Sequence, residues 1–167
     1  MSKHESERKE IHDRVLNAAN VDALADAYAE WAPRYDADLV QEMGYRAYVT
    51  ASELLAAHET DLEARILDAG CGTGLVGAYL ADPATGGYTR IDGLDYSPDM
   101  LAQARSKGVY ADLLQGDLTG TLGIPSDRYD AVISVGTFHP RSCRACRSGG
   151  AGADNETGRS HLLHGSQ

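Results

Sequence analysis

The stretch ILDAGCGTGL, Ile66 to Leu75, decides how the chain is read. A short apolar run ends in Asp68, and four small residues, Gly70, Cys71, Gly72 and Gly74, follow it. Small residues there let a strand turn sharply into a helix without Cβ clashes, bring a ligand against the backbone and leave unpaired amides at the helix start. Leu75, Val76, Ala78, Tyr79 and Leu80 come next, so the segment predicts strand, tight turn and helix. Gly72-Thr73-Gly74-Leu75-Val76-Gly77 also satisfies GxGxxG, which leaves a nicotinamide or flavin cofactor as one reading of the turn.

On the N-terminal side, Val21, Leu24, Ala27, Tyr28 and Trp31 recur at helical spacing, and Pro33 interrupts them. A second helix is expected from Gly44 to His58, with Tyr45, Tyr48, Val49, Ser52, Leu55 and Ala56 as its stripe. On the C-terminal side, Tyr88 to Leu94 reads as a second strand. Ser97 caps the helix that follows, Pro98 takes its first position, where a missing donor costs nothing, and Gly108 ends it. Val109 to Leu114 is a third strand and Tyr129 to Val135 a fourth, rich in β-branched residues. Between these two, Thr119 to Pro125 reads as a loop. The order predicts an α/β fold with an open, Rossmann-like parallel sheet.

A chain of 167 residues suits one cooperative core. Residues 1–19 read as a polar leader or an exposed first helix, with no apolar stretch of signal-peptide type, and no later window is long enough for a membrane span. The net charge of -10 argues against a nucleic-acid acceptor and an anionic lipid surface. Three cysteines do not suggest a secreted disulfide scaffold, and a reducing, cytoplasmic setting is expected.

Two further acids extend the site. Asp95, closing the second strand, is placed to accept the ribose hydroxyls of a dinucleotide or an adenosyl cofactor. Asp117, after the third strand, is placed for an exocyclic amine, with the Leu118 amide donating to a ring nitrogen. With Asp68 these make three carboxylates around one ligand, which favours a cation over a pyrophosphate.

LDAGCGTG at Leu67 to Gly74, GLDYSPDML at Gly93 to Leu101, QGDL at Gln115 to Leu118 and YDAVISVG at Tyr129 to Gly136 together resemble the class I S-adenosylmethionine-dependent methyltransferases. Residues about 25 to 139 are similar, more closely, to the branch of methyltransferase-like proteins encoded in the Williams-Beuren critical region. The resemblance implies S-adenosyl-L-methionine as cofactor and methyl transfer to an unidentified acceptor, a small molecule or a protein side chain. It implies that Gly70, Cys71, Gly72 and Gly74 line the methionine portion, that Asp68 approaches its amino group and that Asp95 takes the ribose. Tyr96 and Ser97 would border the nucleoside, Asp117 and Leu118 the adenine, and Val135 the end of the fourth strand. Tyr28, Trp31, Tyr35 and Tyr45 would form an aromatic lid, with Arg46 for the cofactor carboxylate, to which a guanidinium fork is suited. His139 is the candidate base, with an ordinary pKa near neutrality. Each has a plainer reading: the aromatics as core, the acids as caps, His139 as a loop residue and Cys71 as a small buried side chain.

The family sheet has seven strands, and this one is expected to be incomplete after the fourth, leaving an apolar edge open to self-association. Residues 20–139 would then be a partial methyltransferase domain. The tail, 140–167, carries Arg141, Arg144, Arg147 and Arg159 against Asp154 and Glu156, and reads as a disordered, frame-shifted or alternatively spliced segment. A zinc site from Cys143, Cys146, His161 and His164 is the rival reading, but the histidines are too closely spaced and no metal ligand is expected. A non-catalytic, truncated protein that works through a partner remains the alternative function, followed by a nicotinamide oxidoreductase.

Overall fold

The computed structural model describes residues 3–137. Four strands form one parallel sheet: β1 (Ile66–Ala69), β2 (Ile91–Asp95), β3 (Asp112–Gln115) and β4 (Ala131–Ile133), in the order β3-β2-β1-β4. The chain starts at the centre, steps outward through β2 and β3, and returns across β1 to β4. That reversal creates a switch point at the carboxyl ends of β1 and β4, where open α/β sheets bind ligands. All four residues of β1 are buried, as expected of a central parallel strand.

Helices α3 (Ala47–His58) and α4 (Leu75–Ala81) pack with Ile66, Ile91 and Ile133, of which the first two are fully buried. Burying each such side chain contributes about 1.5–3 kcal/mol. Helix α5 (Pro98–Lys107) has the anticipated cap, Met100 N donating to Ser97 Oγ, and ends at left-handed Gly108. Alternate residues Leu67, Ala69 and Leu94 form a separate cluster covered by Leu114, Leu118, Ile124 and Tyr129. As the glycine-rich composition predicts, no helix forms between β3 and β4.

The strands are shorter than their sequence patterns. Tyr88 is buried yet precedes β2, its hydroxyl bonded to the Glu59 carbonyl, so an apolar pattern extends beyond the ladder. Of the two readings of the N-terminal segment, a helix forms, but it is not wholly exposed: α1 (Lys3–Leu16) seats Ile11 and Val15 against Leu24, Ala27 and Trp31 of α2 (Val21–Trp31). A π-helical turn, Ala37–Glu42, follows and adds Leu39 to this cluster. These N-terminal elements form a cap, and α2 touches α5. No helix among the described residues is long and apolar enough to cross a membrane.

Candidate functional site

Gly70, Gly72 and Gly74 all have positive φ (79°, 53° and 90°), so the turn between β1 and α4 takes a path that side chains disfavour. Gly74 caps α4 without a side chain, and a distant hydroxyl serves the first turn instead. Gly77 N donates to Tyr110 Oη at 3.2 Å, and Tyr110 Oη donates to Asp68 Oδ2 at 2.7 Å. The carboxylate thereby supports the positive end of α4 through a phenol. A Cβ on Gly77 would collide with Tyr110 Cζ, so the third glycine of GxGxxG makes room for a tyrosine ring.

The turn is tied to β2 as well. Gly70 N and Cys71 N donate to the Leu94 carbonyl at 2.7 and 3.0 Å, Gly72 N to Asp95 Oδ2 at 2.8 Å, and Ser97 N to Asp95 Oδ1 at 2.9 Å. Above this junction lies a cavity of about 150 Å³. Gly70 and Gly72 line it from the turn, Asp95, Ser97 and Met100 from the end of β2 and α5, Val135, Gly136 and Thr137 from beyond β4, and Leu24, Tyr28 and Tyr35 from the cap. Burial raises the Asp95 carboxyl above its ordinary pKa, opposed by the Ser97, Gly72 and Tyr96 amides. Tyr28 is raised by burial and then by the Asp95 and Tyr45 charges.

Seven of the expected residues thus converge: Tyr28, Tyr35, Gly70, Gly72, Asp95, Ser97 and Val135. Others fall elsewhere. Trp31 is a core residue, 2% exposed, donating to Asp38 Oδ2 at 2.8 Å and packed edge-on to Tyr35. Tyr45 does not line the cavity but packs against the cluster around Leu24 and Trp31, and a Cβ on Gly136 would meet its hydroxyl at 2.9 Å. Arg46 is exposed at the start of α3, and Tyr96 is exposed beside Asp95. Cys71 packs with Leu101 and Ala104, its thiol pKa raised by burial, while Gly74 lies against Tyr110 and Ala104. Asp117 is exposed and accepts from Thr119 N and Oγ1 at 2.8 and 2.7 Å, and Leu118 faces the cluster around Leu94.

Asp68 is 1% exposed and does not line the cavity. Burial pushes its carboxyl up to about 7, with the Tyr110 hydroxyl pulling down, the Asp95 charge pushing up and the Gly77 amide pulling down. Its Oδ1 has no hydrogen-bond partner. His139 and the cysteine-histidine set of the tail lie outside the described residues.

Sequence reasoning missed Tyr110, Thr137 and an ion pair on the turn. Thr137 Oγ1 donates to the Ala69 carbonyl at 3.2 Å, and a Cβ on Gly70 would collide with it. Lys107 Nζ donates to Asp36 Oδ2 at 2.6 Å and to the Thr73 carbonyl at 2.5 Å, while Thr73 Oγ1 donates to Asp36 Oδ1. The one available signal was Gly77, a glycine inside a helical pattern, which marks a close approach.

Comparison with known proteins agrees with this architecture. The family described as "Methyltransferase domain" matches residues 66–148. Sheet order, site position and family match together define a class I S-adenosylmethionine-dependent methyltransferase domain, with S-adenosylmethionine as its cofactor. Among individual proteins, the chain is 40% identical over 135 residues to Methyltransferase-like protein 27 of Homo sapiens, covering 77% of this chain and 54% of that protein. An 18S rRNA (guanine-N(7))-methyltransferase of Bos taurus is 39% identical over 85 residues, 51% of this chain and 28% of its own length. The DhpI-SAH complex aligns at 29% identity with a TM-score of 0.50, over 66% of this chain and 50% of that one. The chain therefore spans about half, or less, of the curated relatives it matches.

The rRNA methyltransferases overturn the argument that acidity disfavours a nucleic-acid acceptor, since they match this chain over 70 to 96 residues. Net charge averages over a chain, whereas phosphate binding depends on a local surface. The donor set fits the cofactor: a carboxylate, the Ser97 and Thr137 hydroxyls, glycine backbone and two phenol rings line the cavity, with no lysine or arginine for a diphosphate among the described lining residues.

Proposed function

We propose that the chain holds S-adenosylmethionine between the glycine turn and Asp95 and directs its methyl group to an acceptor, as a member of the Methyltransferase-like protein 27 branch. The carrying observation is the convergence of Gly70, Gly72, Asp95 and Ser97 with Tyr28 and Tyr35 on one cavity at the switch point. Gly70, Gly72, Asp95 and Ser97 would hold the cofactor, which would supply an activated methyl group on its sulfonium.

Each Asp95 oxygen accepts one backbone amide and keeps capacity for a ribose hydroxyl. Tyr28 and Tyr35 line the cavity with aromatic rings, which suit a positively charged sulfonium. The protein's contribution is alignment, which needs no covalent participation. An acceptor that must lose a proton requires a base, and His139, two residues past Thr137, is our candidate. The acceptor class we propose is a small molecule, a protein side chain or a nucleic-acid base, the last supported by the likeness to rRNA methyltransferases, and the 40% identity to Methyltransferase-like protein 27 supports the branch.

Calorimetry with S-adenosylhomocysteine tests this reading. Wild type is expected to bind it, and Asp95→Ala, with its circular dichroism unchanged, to bind about tenfold or more weakly through loss of charge-assisted bonds. A folded wild type with no preference for this ligand over adenosine would defeat the reading.

A further inference from the structure

The cap meets the glycine turn at a three-part junction. Asp36 belongs to the cap, Thr73 to the turn and Lys107 to the last turn of α5. The ammonium donates to the Asp36 carboxylate at 2.6 Å and to the Thr73 carbonyl at 2.5 Å, while the Thr73 hydroxyl holds the other carboxylate oxygen. Thr73 is 2% exposed, whereas the Asp36 and Lys107 side chains keep 37% and 23% exposure. The junction therefore combines a buried anchor with an ion pair that solvent reaches.

Its position gives it a role. Asp36 directly follows Tyr35, and Thr73 stands between Gly72 and Gly74, so the junction ties cavity cover to cavity floor. The cavity volume of about 150 Å³ is below the ~300 Å³ at which small-molecule pockets begin. A ligand of adenosyl size would press on the cover, Tyr28 and Tyr35, and on Thr137. Ile11, Val15 and Trp31 bind the cap into one packed unit, which meets the rest of the molecule at this junction and where α2 packs on α5.

We propose that Asp36 is a positioning residue for cofactor exchange: by gripping Lys107 and Thr73 it holds Tyr28 and Tyr35 over the glycine turn, and its release sets how fast adenosyl ligands enter and leave. The proposal rests on the reading that this cavity takes S-adenosylmethionine. Charge-assisted bonds suit such a fastening, because they are strong when made and weaken when water and salt reach them.

The test uses the full chain, with S-adenosylhomocysteine as probe. Trp31 is the chain's single tryptophan and packs on Tyr28 and Tyr35, so its emission in stopped flow follows the cap. Asp36→Asn and Lys107→Met, each folded by circular dichroism, should release the ligand about tenfold faster, equivalent to ~1.4 kcal/mol. Lys107→Arg should keep most of the wild-type rate. Raising salt from about 0.01 to about 0.15 M should speed release from wild type and leave Lys107→Met unchanged. Should Asp36→Asn fail to fold, Lys107→Met, which removes only the ammonium, decides alone. A folded Lys107→Met that releases ligand at the wild-type rate overturns the fastening while leaving the cofactor reading intact. A folded wild type that does not bind the probe overturns the cofactor reading, and the fastening with it.

Discussion

Tyr110 shows how much one side chain can decide around a nucleotide-type turn. Its hydroxyl satisfies Asp68 and the first turn of α4 together, and its ring lies against Gly74, Gly77 and Gly93. Alanine inside a helix normally stabilises by about 1 kcal/mol relative to glycine. At position 77 the sign reverses, because the new methyl would run into the ring, and overpacking costs about 1–3 kcal/mol. Gly77→Ala is therefore expected to lower stability in urea denaturation, and by less when Tyr110 is replaced by leucine. Equal losses in both backgrounds would show that the ring does not dictate the glycine.

At the scale of elements, the buried stripe of α1 is what its sequence announces least. The helix is strongly polar, yet Ile11 and Val15, four residues apart, reach the same cluster as Trp31. Ile11→Ala, at 3% exposure, should cost about 2–5 kcal/mol and loosen the packing of the cap. Equilibrium unfolding and a red shift of Trp31 emission are the measurements. An unchanged spectrum and midpoint would mean that α1 does not support the lid. The contrast with β1 is physical: a central strand is buried by hydrogen-bonded neighbours on both sides, whereas a polar helix acquires a buried stripe only where another helix offers one.

Over the whole molecule, the buried carboxyls make stability depend on pH. Asp68 is held at about 7 in the folded state, against roughly 4 when unfolded. Between those values the native protein keeps a proton that the unfolded chain has lost. Stability from this group is therefore fully present below about pH 4, falls as pH rises to about 7, and then levels off. Asp95, also raised by burial, adds in the same direction. Without ligand, Asp68→Asn should flatten the decline, with a gain over wild type that grows from pH 5 to pH 7.5 toward an upper bound of about 4 kcal/mol. Denaturant melts across that range measure it, and a constant difference between the two proteins would refute the account.

Much of this was legible before any coordinates. Strand, glycine turn and helix at Ile66 to Ala81, the Ser97-Pro98 helix start and the loop between β3 and β4 follow from local rules, because backbone strain and cap chemistry act between neighbours in the chain. The strand–helix–strand order also places Asp95, at the end of β2, beside the turn, where Gly72 N donates to it. What only the tertiary structure decided are contacts between distant segments: Tyr110 beneath α4, Thr137 over Gly70, Trp31 turned into the core, Arg46 and Asp117 left outside the cavity, and Asp36 clasping Lys107. These depend on how helices settle against a sheet, a balance of packing and charge that no spacing along the chain encodes.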